Sequence, residues 1–148
     1  MQIMTRIFRR HRPLLAALVA IPVIALAACG GDSGTGPNAT PAGSYQLSTV
    51  AGKAVPATMF SDTAFTDVIA AGTLALQADG KYVIAVTTNE TIAGHLSVYV
   101  DSLFGTWSQS GSNAVTMISS DGASMSAPWT GTTVTVVDTD SLSWVFSR

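Results

Sequence analysis

Few side chains in this 148-residue chain have the chemistry to react, hold a metal or grip a ligand, and they lie far apart in sequence. Cys29 is the single thiol. With no second cysteine to pair with, an intrachain disulfide and a cysteine-based zinc cluster are excluded together. His95 opens an alternating segment in which His95, Ser97, Tyr99 and Asp101 share one face and Leu96, Val98 and Val100 the other. On a strand this predicts a solvated surface histidine, with the apolar set turned inward. General-base chemistry needs positioned partners as well as an imidazole, and no Gly-x-Ser-x-Gly elbow supplies a serine nucleophile. Asp138 and Asp140 are spaced like alternate ligands of a calcium loop, but the glycine and distal glutamate of such a loop are missing, so a polar hairpin turn is expected. Trp107, Trp129 and Trp144 remain. Aromatic side chains at the mouth of a β-barrel hold apolar ligands; elsewhere they fill cores. Trp144 alternates in phase with Leu142 and Phe146, which predicts core, whereas Trp107 and Trp129 flank turns or Pro128, which leaves a rim position open. No catalytic residue, cofactor or metal site is predicted, and the chain is expected not to be an enzyme.

The surroundings of Cys29 are more specific. Basic residues Arg6, Arg9, Arg10 and Arg12 precede an apolar stretch from Leu14 to Ala28, and small residues lead into the cysteine. These are the three parts of an export signal. The stretch is shorter than the roughly 20 residues a spanning helix needs, and Pro22 interrupts it. Leu26-Ala27-Ala28-Cys29 resembles the lipobox of bacterial lipoproteins. That resemblance implies cleavage between Ala28 and Cys29, a signal peptide over 1–28, and acylation of the Cys29 thiol and the new amino terminus. It also implies an exported protein anchored to the bacterial membrane. By the same resemblance Gly30, where an Asp favours inner-membrane retention in enterobacterial lipoproteins, implies the outer membrane.

Removing residues 1–28 changes the electrostatics. Lys53, Lys81 and Arg148 stay against nine acidic residues, a formal charge of −6. Nucleic-acid binding is disfavoured for want of clustered cations, and so is electrostatic adhesion to anionic lipid. The acyl chains on Cys29 are left as the hold on the membrane; two or more chains are needed for stable anchoring. From Gly30 to Gly43 no large apolar side chain occurs, so nothing offsets the entropy of ordering the backbone. Residues 29–43 are therefore expected to be the lipidated cysteine and a tether with an end-to-end distance of roughly 20 Å.

Residues 44–148 form one domain. Thr, Val, Ser and Gly dominate it, and segments such as Gly43-Ser44-Tyr45-Gln46-Leu47 and Gly72-Thr73-Leu74-Ala75-Leu76 place apolar residues at alternate positions. Turns are marked at Asp79-Gly80, Gly111-Ser112-Asn113, Asp121-Gly122 and Asp138-Thr139-Asp140-Ser141. Strands are predicted near 44–50, 63–70, 72–78, 81–89, 95–101, 103–109, 114–120, 124–130, 132–138 and 142–147, some of which should merge. The segment 64–78 also fits a helical turn at Phe65, Val68 and Ile69, but strand is preferred. The expected fold is all-β: a small antiparallel up-and-down barrel of about 8–10 short strands, with Leu142, Trp144 and Phe146 closing against Tyr45 and Leu47. A two-sheet sandwich is the alternative.

From Gly43 to Arg148 this pattern resembles the small lipocalin-like domains of bacterial lipoproteins. Gly43-Ser44-Tyr45 stands where lipocalins carry Gly-x-Trp, and the literal Gly105-Thr106-Trp107 falls mid-domain. The resemblance implies a small apolar ligand held by Trp107, Trp129 and Trp144. The alternative is an envelope structural or protein-interaction module with a filled barrel, since eight strands enclose an interior only just wide enough for side chains or one small ligand.

Overall fold

The computed structural model describes residues 40–148. The expectations placed on residues 1–39, including the signal peptide, the Ala28/Cys29 cleavage site, the Cys29 anchor and most of the tether, lie outside the described residues. Ten strands follow in chain order: β1 (Gly43–Val50), β2 (Lys53–Ala54), β3 (Ala57–Ser61), β4 (Phe65–Leu76), β5 (Lys81–Ile92), β6 (His95–Ser110), β7 (Ala114–Ser119), β8 (Ser124–Pro128), β9 (Thr133–Val137) and β10 (Ser143–Ser147). All pairings are antiparallel. Eight strands run in the order β8-β7-β6-β5-β4-β1-β10-β9, and a bridge between Trp129 and Val134 joins the two ends. The result is a nearly closed up-and-down barrel, as expected in preference to the sandwich.

The barrel follows from the alternation. Tyr45 and Leu47, Leu74 and Leu76, Tyr82, Ile84 and Val86, Val115 and Met117, Val134 and Val136, and Trp144 and Phe146 all point into one buried cluster. Between them Gln46, Ala75, Val83, Ala85, Thr116, Thr135 and Val145 alternate onto the outer face. Closure runs through β10, whose Phe146 and Trp144 pair with Leu47 and Val50 of β1. At the end where the chain enters, Arg148 ties the barrel together: its guanidinium donates to the carbonyls of Ala42 at 2.9 Å and Gly131 at 2.9 Å and lies 4.9 Å over the Tyr45 ring.

The expected merging of strands occurs twice, and two short strands appear that the sequence did not mark. The predicted pairs 63–70 with 72–78, and 95–101 with 103–109, are single strands, β4 and β6. Strands β2 and β3 were not anticipated, because Lys53–Ser61 shows no sustained alternation. β3 pairs with the first half of β4. Because β4, β5 and β6 are 12, 12 and 16 residues long and β7 only six, the long strands outrun the barrel wall. Their excess, with β3, makes a four-stranded arm, β3-β4-β5-β6, beyond the barrel. A bulge in β4 between Ile69 and Ala71 marks where the arm leaves the barrel and keeps Gly72 and Ile69 on the same face.

Candidate functional site

The barrel interior is occupied by the chain's own side chains. Trp144, Tyr45, Tyr82 and Phe146 are fully buried there, with Leu74, Leu76 and Met117 around them. Burial holds the Tyr45 phenol above its usual pKa, with Arg148 and Trp129 opposing the rise, and its hydroxyl donates to the Pro41 carbonyl at 2.7 Å. Trp129 is buried; its indole N–H approaches that hydroxyl but meets no acceptor at hydrogen-bonding geometry. The Tyr82 hydroxyl is likewise buried without a partner, and its pKa is pushed up to about 12 by burial and then by the negative charge of Asp121.

The three tryptophans do not line one open mouth. Trp144 sits between Val50 and Val136, and its indole N–H donates to Asp138 Oδ2 at 3.1 Å. Trp129 caps the β8–β9 crossing beside Val134. Trp107, half-buried on β6 opposite Met117, packs against the core at its edge and donates to the Gln77 carbonyl at 2.9 Å. Asp138 is the polar turn residue its spacing suggested: one carboxylate oxygen accepts from the Asp140 and Leu142 amides, both at 2.9 Å. Among the described residues, no group of three or more His, Cys, Asp or Glu side chains is placed to hold a metal ion.

On the arm the polarity of the strands inverts. Directly paired residues share a face, so the face continuous with the barrel interior carries Tyr82, Ile84 and Val86 on β5, then Thr88, Glu90 and Ile92. On β6 it carries Leu103, then Asp101, Tyr99, Ser97 and His95. Asp67 lies directly across from Glu90, and burial first, then that neighbouring carboxylate, raises the Asp67 pKa. His95 is exposed, as expected, at the arm tip opposite Ile92.

The expectation that Leu96, Val98 and Val100 turn inward is overturned. They stand on the outer face, 63%, 58% and 66% exposed, and Phe104 continues the stripe at 57%. Exposed Ile118 of β7 lies on the same outer face, opposite Thr106. Alternation told which residues share a face; among the described residues no strand lies over that face to cover it. The backbone beneath the stripe is also open. Ser120 N–H donates to the Phe104 carbonyl at 3.0 Å on the β7 side, so the even-numbered residues of β6 aim their peptide groups away from β5. The β6–β7 pairing begins only at Gly105. Leu96, Val98, Val100 and Ser102 therefore present both side chains and unpaired ladder positions at a sheet edge. Comparison with known proteins gives no family model, no curated protein and no solved structure that matches this chain.

Proposed function

We propose that this protein is an exported lipoprotein, held on the bacterial membrane by acyl chains on Cys29, whose barrel is a non-catalytic envelope interaction module. The outer membrane is the favoured site, with the domain on its periplasmic or surface face. The observation that carries the reading is an inversion of burial. Trp144, Tyr45, Tyr82 and Phe146 fill the interior that a lipocalin-like carrier would offer to an apolar ligand, while Leu96, Val98, Val100 and Phe104 stand outside. Large apolar side chains gathered on a solvent-facing stripe mark a docking surface rather than a core. The absence of a catalytic role is supported by the exposed, isolated setting of His95 at the arm tip.

The test separates this reading from the lipocalin-like one. Full-length chain in lipid nanodiscs, titrated with a panel of fatty acids and other small apolar molecules, is expected to show unchanged tryptophan emission and melting temperature. A saturable emission change abolished by Trp107→Ala or Trp129→Ala would overturn the interaction reading in favour of ligand carriage. A photo-crosslinker placed at Val98 in intact cells is expected to capture protein, and a crosslinker at Thr132, on the loop before β9, is not.

A further inference from the structure

We propose that the open edge of β6 from Leu96 to Ser102 docks against the same edge of a second copy of this chain, in an antiparallel ladder centred on Val98. This rests on the interaction reading above and names its partner.

The edge has the form required. Four alternate residues direct their N–H and C=O groups outward, and a strand presenting such groups is a template for another strand. Natural edges are blunted by lysine, proline or short length, and this one has none of these: Leu96–Ser102 lies within a 16-residue strand. Two such edges related by a two-fold axis can pair only in registers that place even-numbered residues opposite even-numbered ones. Complementary donor and acceptor side chains select among them. Centred on Val98, the ladder sets Val98 opposite its own copy and Leu96 opposite Val100 on the outer face. On the other face it sets Tyr99 opposite Ser97, and His95 opposite Asp101, twice by symmetry. Moving the axis to Tyr99 sets His95 opposite Leu103 instead, and to Val100, opposite Gly105. The register with the two His95–Asp101 pairs is thus the one that sets an imidazole N–H donor opposite a carboxylate acceptor and buries the Leu96, Val98 and Val100 side chains against one another.

The chain's entry into the barrel lies far from this edge. It is at Gly43, which pairs with Leu76 at the end away from the arm, about ten residues and so roughly 33 Å along β5 from the arm tip. The proposed mature tether, Cys29 to Ala42, carries no large apolar side chain to meet Leu96, Val98 and Val100. An anchored molecule would therefore hold its β6 edge off the bilayer, where a neighbour anchored alongside reaches it.

The test uses the full-length chain in detergent or in membranes. In the proposed register the two Val98 Cα atoms come to about 5.5 Å, within disulfide reach, whereas two Val100 residues are four positions out of register. Val98→Cys is expected to give a dimer of twice the chain mass on mild oxidation, and Val100→Cys is not. Val98→Arg sets like charges at the axis and is expected to weaken self-association by about tenfold or more. His95→Asp weakens it too, and adding Asp101→His to that chain restores it. These side chains are exposed or half-buried at the edge, so unchanged melting temperatures confirm intact folding. A monomer by sedimentation at every concentration, or equal crosslinking at Val98 and Val100, would overturn the proposal. If the Val98 photo-crosslinker captures a different protein while the chain stays monomeric, the second-copy inference fails and the interaction reading stands. Flotation of the Cys29→Ser chain with vesicles, lost on Val98→Arg, would make a membrane the occupant and likewise overturn it.

Discussion

Two buried tyrosines make opposite statements about hydroxyls. Tyr45 donates to Pro41 at 2.7 Å, whereas the Tyr82 hydroxyl is buried with no partner. A buried polar atom left unpaired costs about 1–3 kcal/mol, so Tyr82→Phe is expected to be neutral or stabilising. Tyr45→Phe removes a made bond and should cost about 1 kcal/mol. Urea unfolding of the two variants side by side checks the contrast; a Tyr82→Phe chain less stable than Tyr45→Phe would contradict it. Asp67 is a related case. Its folded pKa is raised, chiefly by burial and then by Glu90, so its ionised form is disfavoured in the native state. Native stability arising from this group therefore increases as pH falls through the raised folded pKa and is lost as pH rises through it. Asp67→Asn is expected to stabilise the protein at neutral pH by about 0.2–1 kcal/mol, as relief of a like-charge cross-strand pair, with the gain shrinking in acid. Melting temperatures of both chains across the carboxylate range read that sign directly.

At the scale of the strand, glycine decides how closely two walls approach. A Cβ on Gly105 would press on the Ile118 carbonyl and lie 2.8 Å from Ser119 Cα, both backbone atoms that cannot swing aside. Gly105 is also where β7 takes over the edge of β6, so the close approach fixes the boundary between barrel and arm. Gly105→Ala is expected to cost about 3 kcal/mol or more and to disturb the β6–β7 ladder. Amide hydrogen exchange localised to Ala114–Ser119 would report it. Turn chemistry acts at this scale too. Asp79-Gly80, Asp121-Gly122 and the Asp138 loop were legible, because carboxylates that cap their own turns and glycines at positive φ are strong local signals. The β5–β6 turn was not. It is Ala93-Gly94 with both residues at positive φ, 49° and 83°, and alanine carries no signal for that conformation.

For the whole molecule, anchoring and folding are separable. Among the described residues the core cluster runs from Tyr45 to Phe146, while the proposed anchor lies at Cys29. Cys29→Ser is expected to leave the barrel's stability within about 0.5 kcal/mol of the parent, since the core cluster of the described residues is drawn from residues 45–146. It should also block acylation and processing. Phase partitioning in detergent together with the mass of the mature chain checks both halves, and unchanged partition would sink the anchor.

Sequence alone determined an all-β antiparallel fold, with a barrel preferred to a sandwich. Period-two alternation commits Tyr45, Leu74, Tyr82, Val134 and Trp144 each to one face of a strand, and the turns between them leave only hairpin connections. It also determined which residues share a face on β6. Only the tertiary structure decided what that face meets. A side chain is buried when a second wall stands opposite it, and the barrel places such a wall only on the inner face of its strands. The even-numbered side chains of β6 face outward along its whole length, Phe104 beside β7 as well as Leu96, Val98 and Val100 on the arm, because the direction in which the sheet curls around its core chooses the buried face and is written in no single strand.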